Sequence, residues 1–160
     1  MNNYDIEDID FYRWKVNLSQ KEITKLINEK SKLNIGSIKE LNPIERGKSG
    51  RIIRLQIVGT LRTVIIGKEL EIRRLLSHSH LRSSAFCVET IYSDTDKNLP
   101  SHFILHGAGW GHGVGLCQIG AAVMATKGMD YKEILHHYYP GTSIQHLSEI
   151  INQNNIINKQ

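Results

Sequence analysis

The segment HGAGWGHGVGLCQIGAA, residues 106–122, gathers most of the side chains in this sequence that could do chemistry. Two imidazoles (His106 and His112), an indole (Trp110), a thiol (Cys117) and an amide (Gln118) are set among glycines at every second position, Gly107, Gly109, Gly111, Gly113 and Gly115. Each glycine costs conformational entropy on folding, so a strand would not carry so many without a reason. Two reasons are available: a compact loop that needs positive φ angles, or a group that must lie against the bare backbone. From Leu116 onward the small residues of CQIGAAVMATKG predict a tightly packed helix, with Gly128 as its C-terminal stop. A glycine loop that runs into a helix N-terminus presents unpaired N–H groups and a positive dipole end to any polar ligand.

Several chemistries compete for these residues. The strict every-second spacing, with no acidic residue that follows a strand about twenty positions on, argues against a dinucleotide fingerprint. Zinc could draw on His106, His112, Cys117 and His136 or His137, yet these residues make no H-x-x-x-H or C-x-x-C pair among themselves and adjacent histidines face different sides of a helix. No metal and no cofactor is expected. A thiol nucleophile at Cys117 with His112 as its base is conceivable, because helix N-termini lower thiol pKa values. The simpler expectation for Cys117 is a small buried residue in a packed turn. Tyr138 and Tyr139, just before Pro140, suit a helix end-cap, and a tyrosine beside a polar cleft also suits sugar stacking. His78 and His80 in SHSH belong to a polar, solvated loop.

The flanking elements predict an α+β fold, with a mixed or antiparallel sheet, short helices and the glycine loop leading into a C-terminal helix pair. FYRWKVNL alternates as a strand, and Ser19 with Glu22 forms a capping box for a helix over 20–31 that faces inward through Ile23, Leu26 and Ile27. RIIRLQIVG reads as a half-buried strand with Ile53, Leu55 and Ile57 on its inner side, entered through the turn GKSG and followed by TVIIG. A short helix carries Leu70, Leu75 and Leu76, and AFCVETIYS and HFILHG are two further strands. Asp130 and Glu133 cap a last helix that ends at Pro140-Gly141.

Composition sets the outer bounds. The 160 residues suit one domain, 40% hydrophobic and 22% charged, with a formal net charge of +4. The only basic pair, Arg73-Arg74, is flanked by Glu69 and Glu71, so nucleic acid is not an expected partner, although an anionic polymer is compatible. Two cysteines thirty residues apart define no disulfide framework, and no run approaches the ~18 apolar residues of a membrane span. Residues 1–10 read as a linker or truncated start and 148–160 as a flexible tail.

The stretch HGAGWGHGVGLCQIGAAVMATKGMDYKEILHHYYPGTSI resembles the C-terminal signature of the stage II sporulation protein D/LytB (SpoIID) family. The matching positions are Gly107, Gly109 through Gly115, Gln118, Gly120-Ala121, Lys127-Gly128, Tyr131, Glu133 to Leu135 and Tyr138 to Thr142. A looser likeness runs upstream through the W-x-V strand, ERGKSGRIIRLQIVGT and GKELEIRRLL, so residues 11–147 correspond to the C-terminal half of such a domain.

The resemblance implies a lytic transglycosylase acting on peptidoglycan glycan strands stripped of stem peptides, in the cell envelope or outside the cytoplasm. It further implies a substrate cleft built from His106, Gly109, Trp110, Gly111, His112, Gly113, Gly115, Cys117, Gln118, Tyr138 and Tyr139, with His112 as an auxiliary catalytic candidate. Such a reaction needs one general acid at the glycosidic oxygen and no second nucleophilic carboxylate, because a sugar hydroxyl is the nucleophile. The family's acidic glutamate has no counterpart here: Glu45, Glu69, Glu71 and Glu89 all lack its surroundings, and the acid is expected upstream of Met1. The alternatives are a non-catalytic peptidoglycan-binding module or enhancer of a cell-wall amidase, and acyl transfer by Cys117 with His112.

Overall fold

The computed structural model describes residues 12–94 and 97–148. The expectations for residues 1–10, and for the tail beyond Ser148, lie outside the described residues. The chain divides into two compact units, one reaching to Gly113 and the other starting at Val114.

The first unit holds two three-stranded antiparallel sheets. One has the order β1-β6-β5, from β1 (Arg13–Ser19), β5 (Phe86–Tyr92) and β6 (Pro100–Ala108). The other has the order β2-β3-β4, from β2 (Ile38–Arg46), β3 (Ile52–Gly59) and β4 (Thr63–Gly67). Helices α1 (Gln20–Ser31) and α2 (Glu69–Leu75) pack against the strands and against each other. The second unit contains α3 (Gln118–Thr126) and α4 (Tyr131–Tyr138). The molecule is thus α+β with antiparallel sheets and a C-terminal helix pair.

Local chemistry explains the elements. Ser19 is the N-cap of α1 and its Oγ accepts from the Glu22 amide at 3.3 Å. The Glu22 carboxylate lies 3.6 Å from His78 Nε2. Ile23, Leu26 and Ile27 form the buried face of α1. They join Trp14, Leu18, Ile57, Phe86, Phe103 and Leu105 in one hydrophobic core.

Two details differ from simple periodicity. In β3 the inward residues are Ile52, Leu55 and Ile57, not Ile53. The β2–β3 register slips between the pairs Glu45–Arg54 and Arg46–Ile52, so Ile53 is the unpaired residue of a β-bulge. A bulge inverts the alternation on one side of it, which brings Ile52 inward. In α2, Leu70 is exposed while Ile72, Leu75 and the following Leu76 are buried.

The helix α2 also buries a charge. Arg73 Nη1 lies 3.4 Å from Glu69 Oε2, with side chains only 7% and 14% exposed. Arg73 Nε donates to the Leu81 carbonyl at 2.7 Å, and the Leu81 amide donates to the Arg73 carbonyl at 3.1 Å. Arg73 therefore fixes the turn that leads from α2 toward β5. Removing one partner of a buried pair leaves an uncompensated charge, which typically costs about 3–5 kcal/mol. Arg73→Met is expected to destabilise the protein by about that amount in urea unfolding, and adding Glu69→Gln should recover part of the loss.

Candidate functional site

The glycine loop begins where β6 ends. In the antiparallel register Gly107 stands between Trp14 of β1 and Phe86 of β5. The Trp14 ring lies directly over Gly107, and a Cβ there would fall inside the indole. Trp14 is 7% exposed, packs against Phe86 at 6.2 Å between ring centroids, and donates from Nε1 to the Gly109 carbonyl at 3.1 Å. This close approach is one of the two reasons anticipated for the glycines.

The second reason holds at the next positions. Gly109, Gly111, Gly113 and Gly115 have φ of 72°, 78°, 71° and 91°. These are left-handed conformations that cost most side chains roughly 1–2 kcal/mol each. From Ala108 to Gly111 the loop backbone is largely partnered by residues distant in sequence. Ala108 N–H donates to the Ala85 carbonyl, Gly109 N–H to the Tyr12 carbonyl and Gly111 N–H to the Arg82 carbonyl, at 2.6–2.8 Å. Ser83 Oγ donates to the Ala108 carbonyl at 2.7 Å. Arg51, at the end of the β2–β3 turn, donates from Nε to the Gly111 carbonyl at 3.0 Å and from Nη2 to the Trp110 carbonyl at 3.3 Å. Its guanidinium also fills the space that a Cβ on Gly113 would need.

On this braced backbone the side chains face outward. Trp110 is 58% exposed, with the Arg82 guanidinium 5.8 Å from its ring centroid. His112 is exposed. His106 is placed differently: it lies on the outer sheet face, and its Nε2 is 2.7 Å from Glu89 Oε2 on β5. Each carboxylate considered as an acid is ion-paired: Glu45 with Arg54, Glu69 with Arg73, Glu71 with Arg74 and Glu89 with His106.

In the second unit Cys117 is exposed rather than buried in a turn. It is the N-cap of α3, and its Sγ accepts from the Gly120 amide at 3.4 Å, doing the work of a serine with a weaker acceptor. Gln118 opens α3 and is exposed. The Leu116 amide donates to Tyr139 Oη at 3.2 Å, and the Tyr138 hydroxyl sits where a Cβ of Gly120 would be. Lost hydration, then the nearby Cys117 thiolate, raise the Tyr138 phenol above its ordinary pKa. Both tyrosines therefore reach the start of α3 with their hydroxyls, a role different from capping the end of their own helix. Asp130 and Glu133 form a complete capping box for α4, with both bonds at 2.8 Å. Among the described residues, no group of three or more His, Cys, Asp or Glu side chains could hold a metal ion.

The sequence marks the loop but not its supports. Trp14, Arg51, Arg82 and Ser83 lie 25 or more positions from their partners, and only the Gly-Lys-Ser-Gly turn before Arg51 hinted that this arginine is held in a fixed place. The two roles of glycine can be separated by experiment. Gly111 has open space around it, so Gly111→Ala should cost only the left-handed φ, about 1–2 kcal/mol. Gly107→Ala must displace a buried indole, and an overpacking cost of about 1–3 kcal/mol should come with altered Trp14 fluorescence, which Gly111→Ala leaves unchanged.

Parts of the chain are similar to known proteins. The family described as a domain of unknown function, DUF8618, matches residues 1–115. An uncharacterized protein of Brachyspira hyodysenteriae is 52% identical over 50 residues, 31% of this chain and 14% of the relative. The amidase enhancer of Bacillus subtilis is 42% identical over 55 residues, 34% of this chain and 7% of the relative. Stage II sporulation protein D of Bacillus amyloliquefaciens is 32% identical over 90 residues, 56% of this chain and 24% of the relative. The matches thus span less than a quarter of each relative's own length. The chain belongs to the DUF8618 family and is similar over part of its length to stage II sporulation protein D.

Proposed function

We propose that this chain contributes the substrate-cleft loop of a cell-wall protein that cleaves peptidoglycan glycan strands by lytic transglycosylation, in the cell envelope. The observation that carries it is the braced loop, in which four left-handed glycines hold Trp110 and His112 outward from a backbone tied to β1, to Arg51 and to residues 82–85. A rigid, polar shelf with one exposed indole suits a sugar ring, which stacks an apolar face on the aromatic and leaves its hydroxyls for directed contacts. His106, Gln118, Tyr138 and Tyr139 are lesser candidates, because His106 is engaged by Glu89 and the tyrosines support α3.

The names of the relatives support a wall-related role: one is a sporulation protein and another an amidase enhancer. The proposal assigns no general acid to the described residues, since Glu45, Glu69, Glu71 and Glu89 are paired. The acid is then supplied by polypeptide outside them. The likeness to an amidase enhancer favours a second reading, in which the loop binds glycan without cleaving it and modulates a cell-wall amidase. Among the described residues no helix is long and apolar enough to cross a membrane.

Acyl transfer through Cys117 is the weakest reading, because its sulfur already accepts the Gly120 amide as a helix cap. Cys117→Ser keeps that cap. Glycan turnover by the full-length protein should survive this substitution and thiol alkylation alike, and its complete loss in both would revive the thiol nucleophile. His112→Ala and Trp110→Ala should each lower turnover about tenfold, equivalent to about 1.4 kcal/mol, with unfolding midpoints unchanged. Unchanged turnover in both would remove the loop from the reaction. Binding without any turnover in the unmodified full-length protein would favour the amidase-modulator reading.

A further inference from the structure

The sheet β2-β3-β4 has two edges, and they are built differently. β2 carries Pro43, and its pairing with β3 is irregular between Ile38 and Glu40, between Pro43 and Glu45 and between Glu45 and Arg46. A proline and bulges keep further strands from adding to an edge. β4, with the sequence TVIIG, has neither device and pairs with β3 in unbroken register from Thr63 to Gly67. It is uncharged and rich in β-branched residues, which favour extended backbone. A strand with one neighbour leaves alternate N–H and C=O groups pointing away from that neighbour. Among the described residues no backbone hydrogen bond meets that side of β4.

The side chains suit one more strand. Val64 and Ile66 stand opposite Ile57 and Leu55, pack against the core and are only half-buried. Ile65, on the other face, is 49% exposed. A strand added beside β4 would cover Val64 and Ile66 with its own alternate side chains. Arg62 and Lys68 flank the edge, both exposed, and among the described residues neither enters a salt bridge. These cations select the occupant. A second copy, paired antiparallel about Ile65, would set Arg62 against Lys68 at both ends, and like charges directly opposite each other are destabilising. Moreover, a five-residue edge is about 17 Å long. That is short for a stable interface between two folded copies, which buries at least about 1,200 Å². An extended segment with a carboxylate at each end meets the same edge with opposite charges.

We infer that β4 is a docking edge that takes up an extended segment of another protein as an added antiparallel strand, the segment carrying a short β-branched run between two acidic residues. Main-chain hydrogen bonds supply its affinity, and the half-buried Val64 and Ile66 favour apolar side chains at alternate positions. Arg62 and Lys68 then fix how far the segment extends, because its carboxylates must fall at the two ends of the strand. β4 belongs to the sheet that does not carry the glycine loop, so this docking is independent of the glycan reading.

The test titrates the full-length protein, at low salt, into a labelled heptapeptide with blocked ends, Glu-Thr-Val-Thr-Val-Thr-Glu. Antiparallel pairing sets its carboxylates against Arg62 and Lys68 and its valines against Val64 and Ile66. Fluorescence anisotropy should show about tenfold tighter binding than for the same peptide with lysine at both ends. A version with proline at its third and fourth positions keeps the charge but loses neighbouring amides, one of which the pairing needs, and should not bind. Arg62→Glu/Lys68→Glu should invert the preference between the acidic and basic peptides. Lys21→Glu/Lys25→Glu, on the exposed side of α1, changes the net charge equally and should leave the preference as it was. Equal binding of the acidic and basic peptides, binding of the proline version, an equal inversion in the α1 variant, or no binding at all overturns the proposal. So does a concentration-dependent dimer in sedimentation that the heptapeptide dissolves, which would make a second copy the occupant.

Discussion

The placement of the Trp14 indole over Gly107 is the constraint on which the candidate site depends. At that position three strands meet in one row, Trp14, Gly107 and Phe86, and the central residue must lack a side chain so that the indole can lie flat across it. The same ring belongs to the hydrophobic core and, through Nε1, holds the Gly109 carbonyl. A single aromatic therefore converts core packing into loop position. Burying so large a side chain is strongly favourable, and its one polar atom is satisfied by the loop it positions.

The rest of the loop is held by hydrogen bonds rather than by packing. From Ala108 to Gly111 every carbonyl accepts from a residue elsewhere in the unit: Ser83, Trp14 or Arg51. That arrangement frees side chains from structural duty. Trp110 can remain more than half exposed because its backbone, not its ring, is anchored. A backbone fixed in advance loses little conformational entropy when it meets a ligand, which is how a loop can act as a rigid surface. Arg51 carries much of this burden, and its fork of donors suits two neighbouring carbonyls as a lysine would not.

A buried arginine and an exposed lysine do similar work around residues 77–82. Lys30 gathers three carbonyls and Arg73 clasps Leu81, so positive groups terminate the turn between α2 and β5 and give it a fixed course. In the second unit tyrosines take over: Tyr139 receives the Leu116 amide, and Tyr138 lies against Gly120 at the first turn of α3. The two compact units thus stabilise their segments of the glycine-rich stretch by different means, the first with arginine, tryptophan and serine, the second with phenols and a thiol cap.

The sequence by itself determined the elements and the peculiarity of the loop. Period-two and period-3.6 patterns marked β1, β3 and α1, the Asp130–Glu133 box marked α4, and glycines at every second position announced either left-handed backbone or a close approach to it, because these signals arise from interactions between near neighbours. It misplaced the inner face at Ile53, since a bulge depends on the register of β2, and it read Cys117 as buried although the thiol caps a helix. Only the tertiary structure decided which residues hold the loop, that His106 turns to Glu89, and that β4 is the edge of its sheet. Those pairings join residues up to 95 positions apart, and no local pattern encodes a contact whose partners meet only after two sheets and two helices have closed on a common core.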